Sequence, residues 1–182
     1  MRALQKPTLL FGITGALLMS IFSFLNMSQA AEPLNVGDTA PAVSAPDQDG
    51  KTVALGEAYA KGLTLVYFYP KSDTPGCTAQ ACSLRDGFAD LQKEGVQVFG
   101  VSTDSVEAQK KFKDKYNLPF TILSDKDKQV TAAFGVPTTV GFASRQSFLI
   151  KDGKIVWRDL KASTAKQAAD VLAAIRSLSA AK

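Results

Sequence analysis

The 182-residue chain contains no histidine. That removes the usual side-chain general base at neutral pH and the commonest metal ligand. Catalytic triads and Cys–His dyads go with it. Cysteine is almost as scarce, because Cys77 and Cys82 are the only two. Two thiols and no imidazole deprive zinc, haem and copper of their usual ligands, so neither a metal nor a resident cofactor is expected. Charge of either sign is in small excess at most, with 21 Lys and Arg against 17 Asp and Glu. Lys110, Lys111, Lys113 and Lys115 cluster, but Glu107 and Asp114 temper them. The group reads as a solvated helix face and not as a nucleic-acid or phosphate surface. No internal repeat, low-complexity tract or linker divides the chain.

The longest apolar run lies at the start. Arg2 and Lys6 form a positive head, and Leu9 to Leu25 is apolar apart from Thr14, Ser20 and Ser23. Ser28-Gln29-Ala30 supplies the small residues a signal peptidase reads. Residues 1–30 are therefore expected to be a signal peptide, with residues 31–182 forming one exported domain. The destination is the periplasm or another oxidising lumen, with no stable membrane association after cleavage. An uncleaved N-terminal anchor is the competing reading, since 17 apolar residues are long for a signal and short for a full span. Losing Arg2 and Lys6 lowers the net charge from +4 to +2.

Both cysteines fall in Tyr69-Pro70-Lys71-Ser72-Asp73-Thr74-Pro75-Gly76-Cys77-Thr78-Ala79-Gln80-Ala81-Cys82. The near-continuous apolar run Leu63 to Tyr69 predicts a central strand covered on both faces. It feeds a Pro/Gly-punctuated turn, after which a helix is expected from about Cys77 to Lys93, with Gly95 as its stop. A thiol at a helix N-terminus meets unpaired backbone N–H groups and the positive end of the dipole, and both favour the thiolate. Residues five apart in a helix have Cα atoms roughly 8–9 Å apart, whereas a disulfide rarely tolerates more than about 7 Å. If Cys77 and Cys82 pair, the helix must first unwind. Such a pair suits redox cycling better than a structural staple.

Further along, Leu34 to Pro46 reads as an extended arm and Gln48 to Lys51 as a hairpin turn. Val96 to Ser102 and Phe120 to Leu123 are expected strands. Ser105 caps a helix through Tyr116, and Asp127 to Phe134 makes a short one closed by Gly135. Ser147–Ile150 and Ile155–Trp157 flank the turn Lys151-Asp152-Gly153-Lys154, and a final helix carries Ala168, Val171, Leu172, Ile175 and Leu178. The order is an α/β three-layer sandwich around a central mixed β-sheet, with its last two strands antiparallel. The loop from Tyr69 to Cys77 then sits at the C-terminal end of a central strand, where open α/β sheets carry their sites.

Pro70, Thr74 and Cys77 together stand as Pro-x-x-x-Thr-x-x-Cys, and Arg145 precedes the strand Phe148-Leu149-Ile150. On these residues the chain resembles a peroxiredoxin of the alkyl hydroperoxide reductase/thiol-specific antioxidant superfamily. Tyr67-Phe68-Tyr69-Pro70 with Thr74-Pro75-Gly76-Cys77-Thr78, and a second cysteine five residues on, look like the peroxiredoxin Q or bacterioferritin comigratory protein branch. The resemblance covers roughly Val36 to Leu178 and implies a thioredoxin-like fold. It also implies a thiol-dependent peroxidase acting on hydrogen peroxide and organic hydroperoxides. Cys77 would become a sulfenic acid and Cys82 would resolve it as an intramolecular disulfide. A thioredoxin-like dithiol would then reduce that disulfide.

The same resemblance makes Arg145 the cation at the sulfur and Thr74 a hydroxyl between peroxide and sulfur. Pro70 would be the shield against water, and backbone N–H groups at Gly76 and Cys77 would meet the developing charge. A monomer is expected. The rival reading is an exported thioredoxin-like protein thiol-disulfide oxidoreductase, against which the missing Cys-x-x-Cys counts.

Overall fold

The strand and helix periods of the sequence resolve into three layers in the computed structural model, which describes residues 32–180. The expected signal peptide at residues 1–30 and its cleavage point lie outside the described residues. A short hairpin, β1 (Ser44–Pro46) and β2 (Thr52–Ala54), precedes α1 (Leu55–Tyr59). Then come β3 (Thr64–Phe68), α2 (Pro75–Asp86), α3 (Phe88–Lys93), β4 (Gln97–Ser102), α4 (Val106–Tyr116) and β5 (Thr121–Ser124). The rest is α5 (Gln129–Ala133), β6 (Thr138–Thr139), β7 (Phe142–Ala143), β8 (Gln146–Lys151), β9 (Lys154–Asp159) and α6 (Gln167–Ala180).

The main sheet has the order β5-β4-β3-β8-β9. Strands β3, β4 and β5 run parallel, while β8 and β9 are antiparallel, as expected from the sequence. Successive side chains of a strand point to opposite faces, and β3 uses both. Leu65, Tyr67 and Tyr69 pack with residues of α2, α3, α4 and α6. Val66 and Phe68 pack on the other face with α1, α5 and the β1–β2 hairpin. Every residue of β3 is buried, which explains why its sequence shows no polar alternation.

Three features depart from the expected elements. The helix after the turn starts at Pro75, not Cys77, because proline suits the first helical position, where its missing N–H costs nothing. It also breaks at Gly87 instead of running unbroken to Lys93. A Cβ at residue 87 would stand 2.6 Å from the Ala168 Cβ, so α6 presses on the helix there and only glycine fits. The third departure is a set of short elements, α1, β6 and β7, too brief for a periodicity to register.

The arm after residue 32 runs along the β9 edge of the sheet. Gly37 N–H donates to the Ile155 carbonyl at 2.8 Å and Ala40 N–H to the Gly153 carbonyl at 2.9 Å. Arg158 Nη1 donates to the carbonyls of Pro33 and Leu34 at 3.1 and 2.9 Å. These contacts cover edge groups that would otherwise invite strand addition.

Candidate active site

Strand β3 delivers Pro70 to the C-terminal end of the sheet, and the chain then turns through residues 71–74 into α2. The turn is pinned twice by α4 and its approach. Ser72 N–H donates to Asp104 Oδ2 at 2.7 Å, and Ser72 Oγ and Tyr69 OH both donate to Gln109 Oε1, at 2.8 and 2.6 Å. Gln109 is itself buried and donates to Ser102 Oγ and the Leu123 carbonyl. Asp73 sits at φ 57, a left-handed conformation that aspartate tolerates better than most residues. Its carboxylate accepts from Lys115 Nζ at 2.8 Å and Tyr116 OH at 2.6 Å. Those two donors hold the Asp73 carboxyl below the ordinary aspartate value of 3.8, the Lys115 bond being the larger cause.

Cys77 is the third residue of α2 and is 2% exposed. Thr78 N–H makes the first helical bond, to the Thr74 carbonyl at 2.8 Å. No hydrogen bond among the described residues uses the N–H of Gly76 or Cys77, so both remain free beside the sulfur. Arg145, in the short link between β7 and β8, reaches across and places Nη2 3.3 Å from Cys77 Sγ. Gly76 makes that approach feasible, because a Cβ there would lie 3.3 Å from the same Nη2. Cys77, Arg145 and the helix terminus therefore converge on one point.

Thr74 is the N-cap of α2, yet its side chain does not cap it. Its Oγ1 donates to the Lys71 carbonyl at 2.9 Å, so the expected donation to the sulfur is not made in this state. Pro70 lies between β3 and the turn, half-buried, and offers no donor. Cys82 lies on the same helix, half-buried, and both thiols are free.

Three participants went unnoticed in the sequence. Arg145 Nη1 donates to Gln80 Oε1. Gln80 Nε2 donates in turn to Gln167 Oε1 at 2.7 Å, and Ser147 Oγ donates to that same oxygen at 3.1 Å. Gln80 was legible as the residue three beyond Cys77 on one helix face. Gln167 and Ser147 come from α6 and β8, and no local pattern points to them. Tyr67 OH is also buried, without a hydrogen-bond partner among the described residues. Burial pushes its phenol well above the ordinary tyrosine value.

With this geometry in view, three comparisons agree. Residues 36–158 match the model of the AhpC/TSA family. The chain is 50% identical over 141 residues to peroxiredoxin Bcp of Escherichia coli strain K12, covering 72% of this chain and 90% of that protein. It is 41% identical over 122 residues to a chloroplastic peroxiredoxin Q of Suaeda salsa, covering 66% of this chain and 56% of that protein. Among solved structures, the peroxidoxin BcpB of Mycobacterium tuberculosis superposes with a TM-score of 0.75 at 32% identity. That alignment covers 79% of this chain and 97% of the other. The fold is thioredoxin-like. The chain belongs to the AhpC/TSA family, within its peroxiredoxin Q/Bcp branch of thiol-dependent peroxidases.

Proposed function

We propose that Cys77 is the peroxidatic thiol, reducing hydrogen peroxide and organic hydroperoxides, and that Cys82 resolves it. The Cys77 thiolate attacks the terminal peroxide oxygen and the O–O bond breaks. The departing oxygen takes a proton and leaves as water or an alcohol, and the sulfur becomes a sulfenic acid. Cys82 sulfur then attacks that sulfur and displaces water, forming a disulfide. A thioredoxin-like dithiol reduces it by exchange. The observation that carries this reading is the Arg145 Nη2 contact of 3.3 Å with a sulfur at the start of α2. A guanidinium offers several N–H donors in one rigid plane, so it can serve thiolate and peroxide together.

Thr74 takes a narrower role than the sequence implied. With its proton committed to the Lys71 carbonyl, its lone pairs are left to accept from the peroxide O–H. The free N–H groups of Gly76 and Cys77 meet charge on the oxygens, and Pro70 restricts water at the mouth. Rapid mixing with hydrogen peroxide tests the assignment. Cys77→Ser abolishes consumption, whereas Cys82→Ser performs one peroxide reaction and stalls. Equal loss in both variants would contradict it. A protein thiol-disulfide oxidoreductase would show thiol loss no faster than a free cysteine's.

The exported location belongs to this proposal, as do cleavage after Ala30 and a monomeric state. N-terminal sequencing of the secreted chain and light scattering test them, with an intact N-terminus or a dimer as the contrary results.

A further inference from the structure

We propose that Gln167 is a positioning residue that holds Arg145 against Cys77 through Gln80, and that this uncharged relay is a latch released when α2 unwinds. Gln80 and Gln167 are both fully buried. Burial of two amides is unfavourable unless they bond to something. Here the Gln80 amide is used from both ends: its oxygen accepts from Arg145 Nη1 and its nitrogen donates to Gln167. Gln167 Oε1 is fixed from a second direction by Ser147 Oγ at 3.1 Å, on the strand that Arg145 precedes. Gln167 Nε2, by contrast, has no partner among the described residues. The residue is thus held as an acceptor for Gln80, at the expense of its own donor.

The chemistry favours an amide over a carboxylate at this place. Among the described residues, the hydrogen bonds of Arg145 go to Gln80 and Cys77 and none to an Asp or Glu. A carboxylate at 80 would compete with the sulfur for the positive charge, whereas an amide orients the guanidinium and leaves its charge to the thiolate. Gln80 also lies between Cys77 and Cys82 on α2. That segment must open before the two sulfurs can meet. Opening it withdraws the Gln80 side chain from Arg145 and Gln167 together. This release rests on the Cys77–Cys82 disulfide proposed above.

Gln167→Leu tests the relay, because leucine matches the volume and lacks the amide. In the Cys82→Ser background, the second-order rate with hydrogen peroxide should fall about tenfold, as for a misplaced catalytic group. With Cys82 present, disulfide formation after the sulfenic acid should become several-fold faster, because one tie on α2 is gone. A residue that only fills space would move neither rate in this paired, opposite manner. Unchanged rates in a folded Gln167→Leu protein would overturn the proposal.

Wild-type protein supplies a readout that needs no substitution. Phenylglyoxal should modify Arg145 faster in the disulfide form than in the reduced form, located by peptide mass spectrometry. Equal labelling with the disulfide formed would overturn the release. If no Cys77–Cys82 disulfide forms at all, the release falls together with the functional reading. The positioning role is judged separately, by the Cys82→Ser rate.

Discussion

At the scale of the residue, the site rests on one cation and the space left for it. Arg145→Ala removes the only positive charge that the described hydrogen bonds place on Cys77. The peroxide step should slow by about a hundredfold, the usual order for losing one preorganised donor, with a separate and smaller loss of stability because buried Gln80 Oε1 loses its Arg145 donor. Stopped-flow kinetics beside a thermal melt separate the two effects. Gly76→Ala is the quieter companion. The added methyl would stand 3.3 Å from the guanidinium nitrogen and push it aside, so a several-fold loss of peroxide rate is expected without any change in cysteine content. Cys77 was legible from its place where a turn meets a helix, whereas Thr74, Pro70 and Arg145 were reached only through the resemblance to a peroxiredoxin. The contact of the Thr74 hydroxyl was not legible, since its choice of the Lys71 carbonyl depends on how the turn closes. Gln167 was illegible for another reason: it meets Gln80 across 87 positions, and only folding brings them together.

At the scale of the element, α2 combines two incompatible demands. Wound, it presents free N–H groups to the sulfur; the disulfide proposed above would require it to unwind before Cys82 could approach. Amide hydrogen exchange should show residues 77–90 less protected in the disulfide form than in the reduced form, and equal protection would refute the opening. The turn before the helix is held differently, by the Asp73 carboxylate on Lys115 and Tyr116. Because the folded carboxyl titrates below 3.8, the stabilisation from this contact is complete above that value. It is lost as pH falls through the lower folded value. Asp73→Asn should therefore remove the acid dependence of turn protection below about pH 4, measured by exchange or limited proteolysis. Boundaries set by a local cap, such as Ser105 accepting from Ala108 N–H, could be read from the sequence. The break at Gly87 could not, because its cause is a helix eighty residues away.

At the scale of the whole molecule, the layered α/β architecture and the antiparallel last pair of strands followed from the sequence, because buried strands alternating with helices admit few arrangements. The short hairpin of β6 and β7 contributes little to that architecture and left no signal. Three buried phenols, Tyr59, Tyr67 and Tyr69, are all pushed up by burial. Such groups contribute full stability below the unfolded tyrosine value of about 10, and the contribution is lost as pH rises through the folded values. Unfolding above that pH should coincide with the tyrosinate absorbance of these three, and phenolate beyond what the one remaining tyrosine, Tyr116, can supply before the loss of circular dichroism would contradict the burial. The arm has a larger consequence. Arg158 grips Pro33 and Leu34 near the end of β9 that neighbours the start of β8, the same end at which β3 releases Pro70. Any leash left on this chain would pull from the rim that bears the reactive sulfur.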